Sequence, residues 1–181
     1  IINDAINFDA PLVKLDDTLS IVELFHGPTL AFKDFGARFM ARTMSYFLRN
    51  SDEDVNILVA TSGDTGSAVA SGFYGIDGIN VFLLYPSGKV SEIQEKQLTT
   101  FDKNITALEI EGTFDDCQQL VKSAFVDEKL KLKMKLSSAN SINIARLIPQ
   151  SFYYFNAYKQ IEDKSNEIIF SIPSGNLGNI T

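Results

Sequence analysis

The chain has 181 residues, of which 45% are hydrophobic and 22% charged, and its mean hydropathy is close to zero. This composition is typical of soluble globular proteins and excludes the disordered and membrane-spanning classes. The formal net charge of −7 opposes a broad nucleic-acid-binding surface, although it leaves room for a local pocket that binds a small anion.

Targeting signals and cysteine content narrow the class further. No apolar run approaches the roughly 20 residues that span a bilayer, and residues 1–15 lack the basic-then-apolar pattern of a secretory signal. We therefore expect a cytoplasmic protein without a membrane partner. Cys117 is the only cysteine and His26 the only histidine, which excludes an internal disulfide and opposes a zinc site built from those ligands.

Short aliphatic and β-branched runs alternate with segments of helical periodicity along the chain. The predicted strands cover residues 21–24, 56–60, 80–85, 105–110 and 168–172. The predicted helices cover residues 34–49, 65–74, 91–99, 113–128 and 140–161. This alternation predicts an α/β fold with an open, mostly parallel twisted sheet flanked by helices and joined by right-handed crossovers.

The two ends of the chain are less regular. Residues 1–15 have a mixed pattern, and the last feature before Thr181 is a predicted strand that runs into a glycine turn. A strand and turn without the helix that usually follows them predict that this sequence is part of a longer protein.

The segment Ser171-Ile-Pro-Ser-Gly-Asn-Leu-Gly-Asn-Ile-Thr181 places two glycines three residues apart after an apolar run. Such a loop exposes several backbone N–H groups to a phosphate, and a helix beginning after it would add the positive end of its dipole. A plain strand-to-helix turn explains the same pattern. The segment alone does not decide between the two.

A second polar glycine turn, Ala60-Thr-Ser-Gly-Asp-Thr-Gly-Ser-Ala68, also follows a predicted strand and leads into a helix of small residues. Its hydroxyls and the unpaired N–H groups of a helix start suit a carboxylate ligand. The alternative is local, with Asp64 acting only as the N-cap of the helix.

In Phe25-His-Gly-Pro-Thr-Leu-Ala-Phe-Lys-Asp-Phe-Gly36, one lysine lies among apolar and aromatic residues. Burial favours the neutral, nucleophilic form of a lysine amine. The alternative is a lysine whose stem covers aromatic rings while its ammonium pairs with Asp34 or reaches water. His26 has no serine or cysteine motif beside it, so a structural hydrogen bond is the favoured role.

The fourth segment, Ser137-Ser-Ala-Asn-Ser-Ile-Asn-Ile-Ala-Arg-Leu-Ile-Pro149, is a polar cluster that leads into a predicted helix. Arginine near a helix start suits phosphate because its planar fork donates two hydrogen bonds at once. A capped helix with a surface ion pair explains the same residues.

Together and in this order, four segments resemble those of threonine synthases. They are His26-Gly-Pro-Thr-Leu-Ala-Phe-Lys-Asp34, Thr61-Ser-Gly-Asp-Thr-Gly-Ser67, Asn140-Ser-Ile-Asn-Ile-Ala-Arg146 and Pro173-Ser-Gly-Asn-Leu-Gly-Asn179. The linking segments 86–91 and 150–158 are also similar, so the resemblance runs from about Pro11 to the end.

The resemblance implies a fold, a cofactor and a reaction. Members of this family have the tryptophan synthase β-like fold, bind pyridoxal 5′-phosphate, and convert O-phospho-L-homoserine and water into L-threonine and phosphate. The implied partner is thus a small-molecule substrate. The acidic charge and the single cysteine and histidine oppose a nucleic-acid partner and a metal site. The 1–181 region would be part of the catalytic, cofactor-binding region, with residues of about 50–150 forming its smaller α/β subdomain.

The resemblance also implies a role for individual residues. Lys33 would hold the cofactor as a Schiff base and, once displaced by the substrate amine, move protons at Cα and along the substrate chain. The cofactor phosphate would lie on Gly175, Asn176, Leu177, Gly178 and Asn179, and Asn179 would also reach the substrate phosphate. The substrate α-carboxylate would bind Thr61, Ser62, Gly63 and Thr65. The leaving phosphate would bind Ser141 and Arg146.

One residue departs from the pattern of many related enzymes, which place an asparagine beside the cofactor O3′. This sequence has Asp64 there, and an ionised carboxylate would repel both the O3′ phenolate and a substrate carboxylate. We therefore expect Asp64 to be turned toward the helix N–H groups or to be protonated.

Family members are typically more than twice as long, so residues 1–181 alone are not expected to sustain turnover. Two alternatives stay open. A related pyridoxal-phosphate lyase or dehydratase would share the lysine and loops, but would not need the cationic 140–146 segment. A non-catalytic, metabolite-binding relative predicts decay of at least one motif, whereas all four are intact.

Overall fold

A computed structural model of the chain describes residues 1–140, 143–175 and 177–180. The α-helices in this part of the chain are Ile2–Ala5 (α1), Lys33–Leu48 (α2), Asp64–Phe73 (α3), Glu92–Thr99 (α4), Phe114–Val126 (α5), Glu128–Lys131 (α6), Ile144–Leu147 (α7) and Phe152–Gln160 (α8). The strands are Leu12–Lys14 (β1), Ser20–Val22 (β2), Val55–Ala60 (β3), Ile79–Pro86 (β4), Ile105–Ile110 (β5) and Lys135–Ser138 (β6). None of these helices is long and apolar enough to cross a membrane.

A four-stranded parallel sheet in the order β5-β4-β3-β6 forms the centre of the fold. Strand β3 pairs with β4 along its whole length, from Val55 opposite Ile79 to Ala60 opposite Leu84, and with β6 on its other side. Strands β1 and β2 form a separate antiparallel pair. The predicted α/β class with a parallel sheet flanked by helices is confirmed.

Both faces of the sheet are covered, because alternate residues of a strand point to opposite sides. Ile57 and Val59 belong to a large core cluster that includes residues of α2, α3 and α4. Leu58 and Ala60, the intervening residues, pack in a second cluster with Cys117 of α5. Coverage on both faces explains why β3 is almost continuously apolar.

The strand predicted for residues 168–172 is wrong. These residues have no regular secondary structure. No strand of the described part of the chain pairs with them, so they lack the hydrogen bonds between strands that define a β-strand. Two short strands were missed instead. In β6, Lys135-Leu-Ser-Ser138 contains only one aliphatic side chain, and it is a strand because β3 pairs with it.

The continuous helix predicted for residues 140–161 is also wrong. Helix α7 begins after Asn143, whose side chain caps it by accepting a hydrogen bond from the Ala145 N–H at 3.0 Å. Residues Ile148–Ser151 then form a 3-10 helix before α8 begins. Pro149 lies in this turn, and its missing N–H and fixed φ interrupt an α-helix.

Candidate active site

A polar pocket of about 330 Å³ lies at the carboxyl end of β3. Its walls come from Lys33, the 60–65 loop, Gln94, Phe114, Gln118 and Asn140. The crevice beyond the carboxyl ends of parallel strands is where α/β proteins bind ligands. The sequence segments around Lys33, Thr61 and Asn140 therefore meet at one place.

Lys33 is the first residue of α2, and its side chain is 24% exposed. Its Nζ lies 3.6 Å from Oδ2 of Asp64 and 4.3 Å from the centre of the Phe32 ring. The suggested pairing of its ammonium with Asp34 is wrong. Lys33 instead presents its amine to the pocket next to a carboxylate from another helix.

Asp34 is fully buried, and its side chain contacts the preceding turn. Its carboxylate accepts hydrogen bonds from the Thr29 N–H at 2.9 Å and the Thr29 hydroxyl at 2.7 Å. Burial raises the pKa of Asp34, while these two hydrogen bonds and Arg38 oppose the rise. The tight turn at 27–30 is thus fastened to the first turn of α2. This contact fixes the start of the helix and therefore the position of Lys33.

The 61–65 loop is shaped by Thr61, which is almost completely buried. Its hydroxyl donates to the Gly63 carbonyl at 2.9 Å and accepts from the N–H groups of Gly63 and Gly66 at 3.1 and 2.9 Å. Because this hydroxyl is fully engaged within the loop, it organises the helix start. The hydroxyls of Ser62 and Thr65 are the ones that remain to face a ligand.

Asp64 does not cap α3, so the N-cap interpretation is wrong: Gly63 is the N-cap residue, and no side chain caps the helix from that position. The expectation that Asp64 turns toward the helix N–H groups is also wrong, because both of its carboxylate oxygens face side chains. Its Oδ1 accepts a hydrogen bond from Nε2 of Gln94 at 2.9 Å, and its Oδ2 faces Lys33.

Gln94 was not identified from the sequence. It lies on α4, about 30 residues beyond Asp64, and the only local signal is the spacing Ser91-x-x-Gln94 of a capping box. That pattern predicts a helix start but carries no information on which side chain the free amide nitrogen will meet.

Arg146 is not among the residues that line the pocket. Its side chain is buried, its Nη1 donates to the Ala139 carbonyl at 2.6 Å, and desolvation lowers its pKa to about 10. Within the described residues its Nε has no hydrogen-bond partner. The surface ion pair considered for Arg146 is therefore wrong. Ser141 lies outside the described residues.

The glycine loop is described at Gly175, Leu177, Gly178 and Asn179, whereas Asn176 lies outside the described residues. Hydroxyl groups of Tyr153 and Tyr154 on α8 donate to the Asn179 carbonyl, which ties the loop to that helix. The Asn179 side chain closes the loop on itself by donating to the Pro173 carbonyl at 3.1 Å. None of the described loop residues is part of the wall of the polar pocket.

A second, larger pocket of about 590 Å³ lies between the N-terminal segment and α8, with Phe8, Phe35 and Phe152 in its wall. His26 lies at its edge, and its Nε2 is 2.7 Å from Oε2 of Glu23. This contact agrees with the structural hydrogen bond expected of His26. The walls of this pocket are mostly apolar, and none of the described residues that line it is a lysine. We therefore do not assign the active site to this pocket.

The polar pocket combines an amine with groups that can bind an anion. An amine lies at its wall, hydroxyls and backbone N–H groups surround the start of α3, and its volume falls within the range of small-molecule sites, about 300–1,000 Å³. These features make the pocket a candidate site for a small anionic ligand that reacts with an amine.

Comparison with known proteins identifies the class. A family model described as "Pyridoxal-phosphate dependent enzyme" matches residues 9–179, and the chain belongs to this family. Threonine synthase from Buchnera aphidicola subsp. Acyrthosiphon pisum is 53% identical over 182 residues, which cover 99% of this chain and 42% of that protein.

Solved structures give the same result. The crystal structure of threonine synthase from Escherichia coli superposes with a TM-score of 0.89 at 50% identity, covering 98% of this chain and 41% of that one. A pyridoxal-phosphate-bound threonine synthase from Brucella melitensis superposes with a TM-score of 0.85 at 45% identity, covering 94% and 37%. The resemblance to threonine synthases is confirmed, and the chain spans about two-fifths of the length of the curated relatives it matches.

Proposed function

We propose that this chain carries the cofactor lysine of a threonine synthase, an enzyme that converts O-phospho-L-homoserine and water into L-threonine and phosphate. The observation that supports the proposal best is the position of Lys33, whose amine lies at the wall of a polar pocket beside the start of α3. Relatives of about 50% identity that are threonine synthases point to the same reaction.

Lys33 would hold pyridoxal phosphate, and Gly175, Asn176, Leu177, Gly178 and Asn179 would bind its phosphate. Asp64 would lie beside the cofactor ring. When bound, the cofactor supplies an electron sink that stabilises negative charge on the substrate carbons. Residues of about 50–150, which include β3 to β6, would form the smaller subdomain that brings the 61–65 loop to the cofactor.

The residues of this chain would act on the substrate in two ways. The amine of Lys33 would take and return protons at the substrate Cα and farther along its chain, as a general base and acid. The Ser62 and Thr65 hydroxyls, with the N–H groups of Asp64 and Thr65 at the start of α3, would hold the α-carboxylate beside Gly63. Thr61 would keep that loop in its binding shape through its three hydrogen bonds.

The leaving phosphate would bind Ser141 and Arg146. Arg146 is a buried guanidinium whose Nε has no partner among the described residues, and an anion would satisfy both its charge and its free donor. A phosphate leaving group needs such a cation. A serine or threonine dehydratase does not, and this difference favours threonine synthase over a sister lyase, the second candidate.

The remaining parts of the proposal concern location and partners. We place the enzyme in the cytoplasm, with a small-molecule substrate as its partner and without a nucleic-acid or membrane partner. The acidic composition, with a net charge of −7, supports the absence of a nucleic-acid partner.

The test is an assay of the full-length protein with O-phospho-L-homoserine. We expect threonine and phosphate in equal amounts, and at least a roughly 100-fold loss of rate in Lys33→Ala, because proton transfer by a positioned base contributes about 10²- to 10⁴-fold. Lys89→Ala, at an exposed loop lysine, is the matched control and should retain activity. Phosphate release with 2-oxobutanoate and no threonine would identify a lyase and refute the proposal.

A further inference from the structure

The side chain of Gln94 is held at both ends. Its Oε1 accepts hydrogen bonds from the Ser91 N–H at 3.3 Å and the Ser91 hydroxyl at 3.1 Å, which completes the capping box of α4. With the amide oxygen fixed there, the amide nitrogen faces Asp64 and donates to its Oδ1 at 2.9 Å. The orientation of this amide is therefore set by the helix to which it belongs.

Two glycines of the 63–66 turn let α4 approach closely enough for this contact. A Cβ at Gly63 would lie 2.5 Å from Nε2 of Gln94, and a Cβ at Gly66 would lie 2.5 Å from Cδ2 of Leu98. Leu98 is fully buried at this contact. Helix α4 is thus seated directly on the start of α3, with Gln94 at its pocket end and Leu98 one turn farther along.

We propose that Gln94 is a positioning residue for Lys33, acting through Asp64. By occupying Oδ1 of Asp64, Gln94 leaves Oδ2 directed at Nζ of Lys33, 3.6 Å away. Both oxygens of the Asp64 carboxylate then have a partner, and its negative charge stays close to the amine of Lys33. The inference rests on the proposed function, because it concerns the reaction of Lys33 with pyridoxal phosphate.

A neutral donor is the required chemistry at position 94. An amide holds the Asp64 carboxylate without adding charge, whereas a second carboxylate would repel Asp64 and would stabilise the protonated amine of Lys33. The other charged groups near the start of α4 do not replace it, since Glu92 pairs with Lys96 at 2.6 Å. Asp116 of α5 is held by Thr113 in its own capping box.

The test measures how fast the cofactor-free full-length protein captures pyridoxal phosphate, followed by cofactor absorbance as a function of pH. In Gln94→Glu, the glutamate keeps the acceptor of the capping box, loses the donor to Asp64 and adds one negative charge beside it. We expect capture at neutral pH to be about 10-fold slower, and the pH of half-maximal rate to move up by about one unit, because added negative charge favours the ammonium.

Two variants serve as controls. Gln97→Glu makes the same change of charge on the same helix, at a residue for which the described structure records no hydrogen bond to Asp64, and should leave the profile unchanged. Ser91→Ala breaks the capping box but keeps the amide nitrogen of Gln94, so it should lower thermal stability more than it moves the pH profile.

If the pH profile of cofactor capture by Gln94→Glu matched those of the wild type and Gln97→Glu, the inference would be overturned. The proposed function would remain intact. A Gln94→Glu protein that loses thermal stability without any shift of the profile would show a purely structural role and would also overturn it. Wild-type protein that captures no cofactor at all would refute the proposed function, and this inference with it.

Discussion

Asp34 and Thr29 are joined by two hydrogen bonds, one from the Thr29 N–H at 2.9 Å and one from its hydroxyl at 2.7 Å. The pair fastens the turn before α2 to the helix itself, one residue from Lys33. Gly27 belongs to the same arrangement, because a Cβ there would lie 2.4 Å from Oδ2 of Asp34. The position of the lysine thus depends on a buried carboxylate that does not touch it.

Asp34→Ala is expected to lower the free energy of unfolding by about 2 kcal/mol, because it leaves two partly buried Thr29 donors without their acceptor. Denaturant unfolding of the full-length protein, monitored by circular dichroism, measures this. Asp52→Ala, at an exposed loop position, should change stability by less than about 0.5 kcal/mol. Equal effects of the two substitutions would contradict the assigned role of Asp34.

The raised pKa of Asp34 also predicts how the stability of the protein changes with pH. Burial raises its pKa, so the folded state binds the proton more tightly than the unfolded chain does. The resulting stabilisation is complete below the ordinary pKa of an aspartate and is lost as the pH rises through the raised value. Relative to Asp34→Asn, wild-type protein should therefore become less stable between acidic and neutral pH. A difference in melting temperature that stays constant with pH would contradict this.

The sequence predicts the parts of this fold that local pattern determines. The apolar run of β3 predicts that strand, and the helical periodicity of residues 113–128 predicts α5. Strand β6 could not be recognised, because Lys135-Leu-Ser-Ser138 is a strand only by pairing with β3. The same division holds in the site. Lys33 and the 61–65 loop stand out as motifs, whereas the Gln94 contact spans 30 residues and depends on how α4 packs.

Gly66→Ala tests the close seating of α4. Its new Cβ would lie 2.5 Å from Cδ2 of Leu98 and 2.6 Å from Cγ2 of Thr61, both buried. We expect a loss of about 1–3 kcal/mol of unfolding free energy, the usual cost of overpacking. Ser71→Ala, on the same helix, is the control and should have little effect. If both variants melt at the wild-type temperature, α4 does not pack as described.

Cys117 should be unreactive in the native protein. Its side chain is fully buried between α5 and the sheet, and burial raises the pKa of its thiol, which suppresses the nucleophilic thiolate. Iodoacetamide followed by mass spectrometry of the Cys117 peptide is expected to show modification in denaturant and almost none without it. Rapid native labelling would place the thiol at the surface.

Arg146 gives the sharpest test of the proposed phosphate site. Its guanidinium is buried and donates a hydrogen bond to the Ala139 carbonyl, and desolvation lowers its pKa to about 10. No carboxylate of the described residues pairs with it, and a buried charge without a counter-charge is costly, so a bound anion should stabilise the protein. Inorganic phosphate at about 100 times its dissociation constant is expected to add about 2.7 kcal/mol to the free energy of unfolding.

In Arg146→Met, which keeps an apolar stem of similar length, this gain should disappear although the protein still folds. Arg49→Met removes an exposed arginine from the end of α2 and should keep the full gain. If Arg146→Met were stabilised by phosphate as strongly as the wild type, the phosphate would bind elsewhere.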